Sequence, residues 1–354
     1  YGQPRMDVRS VRDTGVLTTN DVCPDIGIYE YPGVYSGQVP DLRVASVSVP
    51  SAARSGGTLQ VAYSVVNTGA DASGSWRDAV SLYGDADLGG QLVKLDDPVT
   101  TASLQTGATN TFTATFAIPA VREGNWHVRV QANAYRDLYE QDTANNVADS
   151  EAAVAIAVPE LAVGTSSLSL DGQGTSGFEV TGLSSDGGSV LVTAAKGVAL
   201  YGAYGFMPSS DNFTWQGVDL GDGRWLLVYP ANTLGQTAYF LVANASAAAA
   251  TVQATVAQQA LALLKIAPAQ AVTGDVCNVT LTGTGFGSDL SADLRMGAAQ
   301  IALTSLRQLS PAQFAGTAPL AGAATGTYDV VVSSGGQTAR SEEHTSELQS
   351  LTDI

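Results

Sequence analysis

Two histidines and two cysteines are all that this 354-residue chain offers to nucleophilic or transition-metal chemistry. They are His127, His344, Cys23 and Cys277, too few and too far apart for the short Cys and His spacings of a tetrahedral zinc site. A Ser-His-Asp triad would have to use His127, but no Gly-x-Ser-x-Gly elbow leading into a helix lies near it. His127 follows Trp126 in an alternating stretch, which predicts a solvated histidine facing away from the core. Asp96 and Asp97 could divide acid and base work only across a cleft of defined width. Pro98 follows them directly, so the pair reads as a turn. Gly283, Gly285 and Gly287 imitate a nucleotide loop, yet no lysine and no helix pattern follow. No catalytic residue is expected, and the chain is not expected to be an enzyme.

Hard oxygen donors crowd one place. Asp137, Glu140, Asp142 and Asn145 follow the Trp126 stretch at alternating short spacings, the kind of donor set that Ca²⁺ requires. They are the expected ligands if a cation is held, although the spacing departs from the twelve-residue helical calcium loop. The favoured reading is plainer: Glu140 and Asn145 bond to backbone amides and hold a turn. No other cofactor is expected. Of the tryptophans, Trp126 in its alternating strand is predicted to plug a core. Trp215, close to Phe213 in a polar, Gly-rich stretch, is the candidate for an exposed ligand-binding pair on which a sugar would stack.

The elements that must position these groups are strands. Leu59, Val61, Tyr63 and Val65 alternate before the Asn67-Thr68-Gly69 turn, and Ala79 to Tyr83, Phe112 to Ile118 and Trp126 to Ala132 repeat the style. Such alternation places one face in a core and one in water. Length predicts several domains of about 100 residues each. A formal charge of −17 with only 16 Lys+Arg disfavours a nucleic-acid role, which rests on clustered cations. No stretch reaches the roughly 18 to 20 apolar residues of a membrane-spanning helix. Cys23 and Cys277 fall in different segments, so both are expected as free, buried or semi-buried thiols.

Several strings resemble known families. Pro40-Asp41-Leu42, Tyr63 to Gly69, Trp76-Arg77-Asp78-Ala79-Val80-Ser81-Leu82, Gly124 to Val128, Glu140 and Asn145-Asn146 together resemble a CARDB module, the cell-adhesion-related domain found in bacteria. That resemblance implies an immunoglobulin-like sandwich over 40–157 in a large surface or secreted protein, with no catalytic residues. Trp126 stands where Tyr is commoner, and Ala132 to Ala134 lacks the usual Asp. Pro24-Asp25-Ile26-Gly27-Ile28-Tyr29-Glu30 resembles the end of a right-handed parallel β-helix, with Ile28 in place of Ala, and implies a terminal remnant over 1–32 followed by a linker at 33–39. Tyr204 to Ser209, Leu226 to Pro230 and Tyr239 to Val242 are similar to a pre-peptidase C-terminal type of sandwich over 159–257. Ile266-Ala267-Pro268, the Gly283-Thr284-Gly285-Phe286 turn and Gly326 to Val332 are similar to an IPT/TIG domain over 261–338. Arg340 to Ser350 resembles the translation of a sequencing adapter. Residues 340–354 are therefore expected to stand outside the fold, with the gene continuing past Thr338.

The fold class predicted is all-β: tandem immunoglobulin-like or jelly-roll sandwiches preceded by a β-helix remnant, folding as separate units joined near Pro159 and at about Gln258 to Leu261. The function expected is a non-catalytic structural or adhesion spacer of a large exported bacterial protein, extracellular or on the cell surface. Its expected partners are other domains of the same protein, with a cell-surface protein or glycan as a further partner, and neither nucleic acid nor a membrane span. Two alternatives stay open: the accessory region of a secreted hydrolase, and a carbohydrate-binding module.

Overall fold

The computed structural model describes residues 39–340, apart from 73, 102, 141, 182–186, 195–196, 222 and 233, together with a strand at 348–351. The expected β-helix remnant at 1–32, Cys23, most of the linker and His344 lie outside the described residues. Regular structure among the described residues is almost entirely strand, with one 3-10 turn at Ala86–Leu88. The protein is all-β, built as successive sandwiches. Two compact units are present, one carrying most of the chain up to Ala155, the other holding Ala52–Thr58, Ala117–Gly124 and everything from Ile156 onward.

In the first unit, one sheet orders Leu42–Ser48, Thr58–Asn67 and Thr109–Ala117. The other runs Val154–Ala157, Gly124–Gln131, Ala79–Gly84 and Leu92–Asp96, with Val147–Asp149 beside Gly124–Gln131. The predicted alternation holds: Leu59, Val61, Tyr63 and Val65 from one sheet, and Trp126, Val128 and Val130 from the other, are buried. The Asn67-Thr68-Gly69 turn is closed by Asn67, whose Nδ2 donates to Leu104 O at 2.9 Å while its Oδ1 accepts from Asp41 N and Gly69 N at 3.1 Å. Gly69 is required there, because a Cβ would lie 2.2 Å from Val39 O.

The second unit contains two further sandwiches. The first pairs the sheet Glu160–Leu161, Thr175–Val180, Ala238–Asn244, Val198–Tyr204, Trp215–Gln216 with the sheet Gly164–Leu170, Ala250–Ala257, Gly188–Thr193, Arg224–Tyr229, Val218–Gly221. Phe178 and Phe240 stack at 5.5 Å in its core. The next has a sheet of Ala262–Ala267, Val276–Thr284, Gln313–Pro319 and Thr304–Ser310, with a core that includes Leu281, Leu294 and Val330. Gly285 takes φ 69°, and Phe286 folds back to meet Phe314 edge-on at 5.8 Å.

These two sandwiches are coupled. Leu220, Leu226 and Val228 of one and Ala312 of the other form a single apolar cluster, joined by Leu264. Around the expected link at 258–261, Gln259 Nε2 donates to Tyr229 O at 2.6 Å and Thr284 Oγ1 to Ala260 O at 2.6 Å. The link is thus pinned at both ends. Of the tail expected at 340–354, residues 341–347 and 352–354 lie outside the described residues. Gln337–Arg340 pairs with Thr327–Ser334, and Leu348–Leu351 forms a strand in the same sheet.

Candidate functional site

The densest gathering of chemically capable side chains lies in the first unit, around two buried carboxylates. Asp78 sits between the short strand Trp76–Arg77 and the strand Ala79–Gly84, and is fully buried. Its Oδ2 accepts from Tyr63 Oη at 2.9 Å, and its Oδ1 from Trp76 Nε1 at 3.0 Å and Asn133 N at 3.1 Å. Desolvation raises the Asp78 carboxyl above its ordinary value, against the pull of those donors. Burial first, and then the Asp78 charge, raises the Tyr63 phenol.

Glu140 is the second carboxylate, 6% exposed. Its Oε1 accepts from Asn133 Nδ2 at 2.5 Å and Asn146 Nδ2 at 2.7 Å, and its Oε2 from Leu42 N at 2.5 Å. Asn133 links the two acids. It adopts φ 45°, a left-handed conformation that Asn tolerates better than most residues, and its Oδ1 accepts from Leu138 N at 3.1 Å. The loop after Gly124–Gln131 is thereby stitched to itself and to the start of Leu42–Ser48.

The expected calcium donors occupy separate places. Asp137 receives Arg77 Nη2 at 2.8 Å and Nε at 2.9 Å, while Glu140 faces the interior as described. Asp142 Oδ1 accepts from Ala144 N at 2.8 Å, and Asn145 Nδ2 donates to Asp41 Oδ1 at 3.0 Å. Among the described residues, no three His, Cys, Asp or Glu side chains are grouped as a metal requires. Glu140 does bond to a backbone amide, whereas Asn145 reaches a side chain.

His127 points away from the core, opposite buried Trp126 and Val128, but it is not solvated. Its side chain is only 25% exposed, with Nδ1 at 2.7 Å from Ser150 O and Nε2 at 3.4 Å from Asp85 Oδ1. The segment at Ser150, which bonds back across Val128, covers it. Asp96 and Asp97 form the turn that Pro98 predicted: Asp96 Oδ1 accepts from Asp97 N at 2.8 Å, and Asp97 is paired with Lys94 and with Tyr135 Oη. Beside them the Arg77 guanidinium lies 4.1 Å from the Tyr135 ring centroid.

Phe213 and Trp215 part company. Trp215 is half-buried against the second core, with Tyr204 edge-on at 4.8 Å. Phe213 is 38% exposed and lies 5.1 Å from Tyr201. A polar flank hid the fact that a strand at Trp215–Gln216 turns the indole inward. Cys277 is a half-buried free thiol, raised by burial and then by Asp275. The residues that sequence reasoning missed are Asp78 and Asn133. The signal available was an Asp placed between a Trp and an apolar run, where a charge belongs only if it is bonded.

A pH dependence follows from the two buried acids. Burial raises both carboxyls above their ordinary values of 3.8 and 4.5, so the folded state binds protons more tightly than the unfolded chain. Their stabilising contribution is complete below those values and is lost as pH rises through the raised ones. Asp137 and Asp149, held charged by Arg77 and Arg129, act in the opposite sense, and only below 3.8. The thermal transition of residues 39–157 should therefore rise as pH is lowered from neutrality toward the ordinary carboxylate range. Calorimetry of the intact chain checks this, and a steady fall over that interval contradicts it.

The CARDB family model matches residues 39–150. A solved CARDB domain from Pyrococcus furiosus, in complex with di-metal ions, is 18% identical, covering 34% of this chain and 90% of its own, at a TM-score of 0.26. A Bacteroides ovatus mixed-linkage glucan utilization protein, SGBP-B, bound to a heptasaccharide, is 11% identical, covering 89% and 71%, at a TM-score of 0.24. An I-band fragment of titin, I67-I69, is 10% identical, covering 90% and 99%, at 0.20. At these values the likenesses to solved structures carry no argument about function. No curated protein matches the chain. The strings around Asn67, Trp76 to Leu82, Trp126 and Glu140, the buried network they form and the family match all fall on one segment: residues 39–150 are a CARDB domain within a longer all-β chain.

Proposed function

We propose that the chain is a non-catalytic spacer and adhesion segment of a large exported bacterial protein, extracellular or on the cell surface. The observation that carries this reading is the use made of the buried acids. Asp78 and Glu140 are the CARDB domain's buried carboxylates, and each accepts three hydrogen bonds from donors of its own fold. Carboxylates so occupied hold loops and strands together and have no open face toward a substrate. One support stands beside it, the cell-adhesion-related family matched at 39–150. On this reading the chain's partners are other domains of the same protein, and its outward residues, such as the Arg77 and Tyr135 pair, are the ones available to a cell-surface protein or glycan.

The intact chain, offered a panel of ester, peptide and glycan substrates, is expected to give no turnover above buffer. Turnover that a single substitution within 39–340 abolishes would contradict the reading.

A further inference from the structure

One sheet of the second unit sets two glutamates and a tyrosine in a single row. Thr175–Val180 lies between Glu160–Leu161 and Ala238–Asn244, and its Glu179 stands opposite Glu160 on one side and Tyr239 on the other. Residues in register share a face, so the two carboxylates and the phenol are neighbours across three strands. The next row on that face is Gly177 opposite Leu241.

The turn Ala117–Gly124, part of the same compact unit, lies over these rows. A Cβ at Gly177 would come within 3.0 Å of Ala120 Cβ, so the close approach of the turn depends on that glycine. Arg122 Nη1 donates to Gly205 O at 3.2 Å, and the Tyr239 hydroxyl donates to Glu123 Oε1. Under this cover Tyr239 and Leu241 are buried, although they point away from the sandwich core. Glu123 is thus brought to the row as its third carboxylate, and its Oε2 is buried without a hydrogen bond.

Like charges opposite one another across strands repel, and a buried carboxylate oxygen without a donor bears its desolvation cost unrelieved. A proton on one member of the group removes a repulsion and adds an O–H donor. Burial first, then Glu123, then Glu160 raise the Glu179 carboxyl above its ordinary 4.5. The groups facing Glu179 are therefore Glu160 and Tyr239 on the flanking strands and Glu123 on the turn, whose one cation, Arg122, is directed to Gly205 O.

We propose that the turn Ala117–Gly124 is an acid-tightened clasp: a proton taken up among Glu123, Glu160 and Glu179 draws it onto Tyr239 and Gly177, and loss of that proton loosens it. The sign follows from Glu179. The stabilisation is complete below the ordinary glutamate value and is lost as pH rises through the raised one. In a chain read as a spacer the clasp would make stiffness respond to pH, but the clasp itself does not rest on that reading.

Hydrogen exchange of the intact chain at residues 117–124, expressed as protection factors so that the intrinsic pH dependence cancels, tests this at about pH 7 and about pH 5. Protection in the parent should be at least twofold higher in acid. Glu179→Gln imitates the protonated acid, so at neutral pH it should already show the parent's acid value and should respond little to further acid. Tyr239→Phe removes the donor to Glu123 and should lower protection at both pH values. Residues 124–131, whose first unit has buried acids of its own, should respond to pH alike in the parent and in Glu179→Gln. Equal protection at both pH values in the parent, or a Glu179→Gln chain that keeps the parent's full response, overturns the proposal. If Glu179→Gln loses the second unit's melting transition, Glu160→Gln decides instead: raised protection of 117–124 at neutral pH supports the clasp, and unchanged protection overturns it.

Discussion

Replacing Glu140 by Ala should destabilise the CARDB domain by about 3 kcal/mol or more, because each buried donor left without its acceptor carries its own desolvation cost. Three such donors are stranded at once: Leu42 N, Asn133 Nδ2 and Asn146 Nδ2. Two of them belong to the loop after Gly124–Gln131, and the third opens Leu42–Ser48, so the damage falls where the chain's first described strand is tied down. Glu140→Gln should cost less. Its carbonyl can still take both asparagine amides, while its NH₂ would confront Leu42 N, a donor facing a donor. Thermal unfolding of the intact chain checks both variants. A loss of about 10 °C or more in the domain's transition is expected for Glu140→Ala, with Glu140→Gln in between. Equal, small losses would mean that the network is ornamental.

Trp126→Ala is the other large effect, expected at about 3 to 5 kcal/mol as transfer and cavity costs add. Trp126 is fully buried on a central strand of its sheet, paired with Gly84 across the ladder. The fit is close: a Cβ added at Gly84 would come within 3.3 Å of the indole Cζ3. Neighbours on a ladder cannot collapse into the void without breaking strand pairing, which places the cost toward the upper end of that range. Chemical denaturation should show a lowered midpoint for the domain with the second unit's core unaffected. A variant within about 1 kcal/mol of the parent would contradict the assignment of Trp126 as the core plug.

The fold was legible in the sequence wherever one face of a strand is buried, because alternation then reports the side-chain direction directly. Leu59 to Val65 and Trp126 to Val130 are the clearest instances, and the turn at Asn67 to Gly69 is written in its residue types. What the alternation could not report is what fills a half-buried face. His127 was correctly turned away from the core, yet Ser150 O covers it. Trp215 has polar neighbours in sequence but packs on Tyr204 in space. The loop acids show the same limit. Their spacing resembles a cation loop, but Asp137 answers to Arg77, 60 residues away, and Glu140 to Leu42, 98 residues away. Partners at such separations leave no local trace. Asp78 was quoted in the family string without a role, since its three donors come from three different segments.

The central claim, a spacer role between other domains of the same protein, is tested most directly by stretching the chain. In single-molecule extension of the whole chain, the CARDB domain at 39–150 should give a discrete unfolding event with a contour length of about 38 nm, at about 0.34 nm per residue. The Glu140→Ala variant should lower that event's force and leave the length unchanged. Smooth extension without a discrete event of this length, in a chain that melts cooperatively, would contradict the claim.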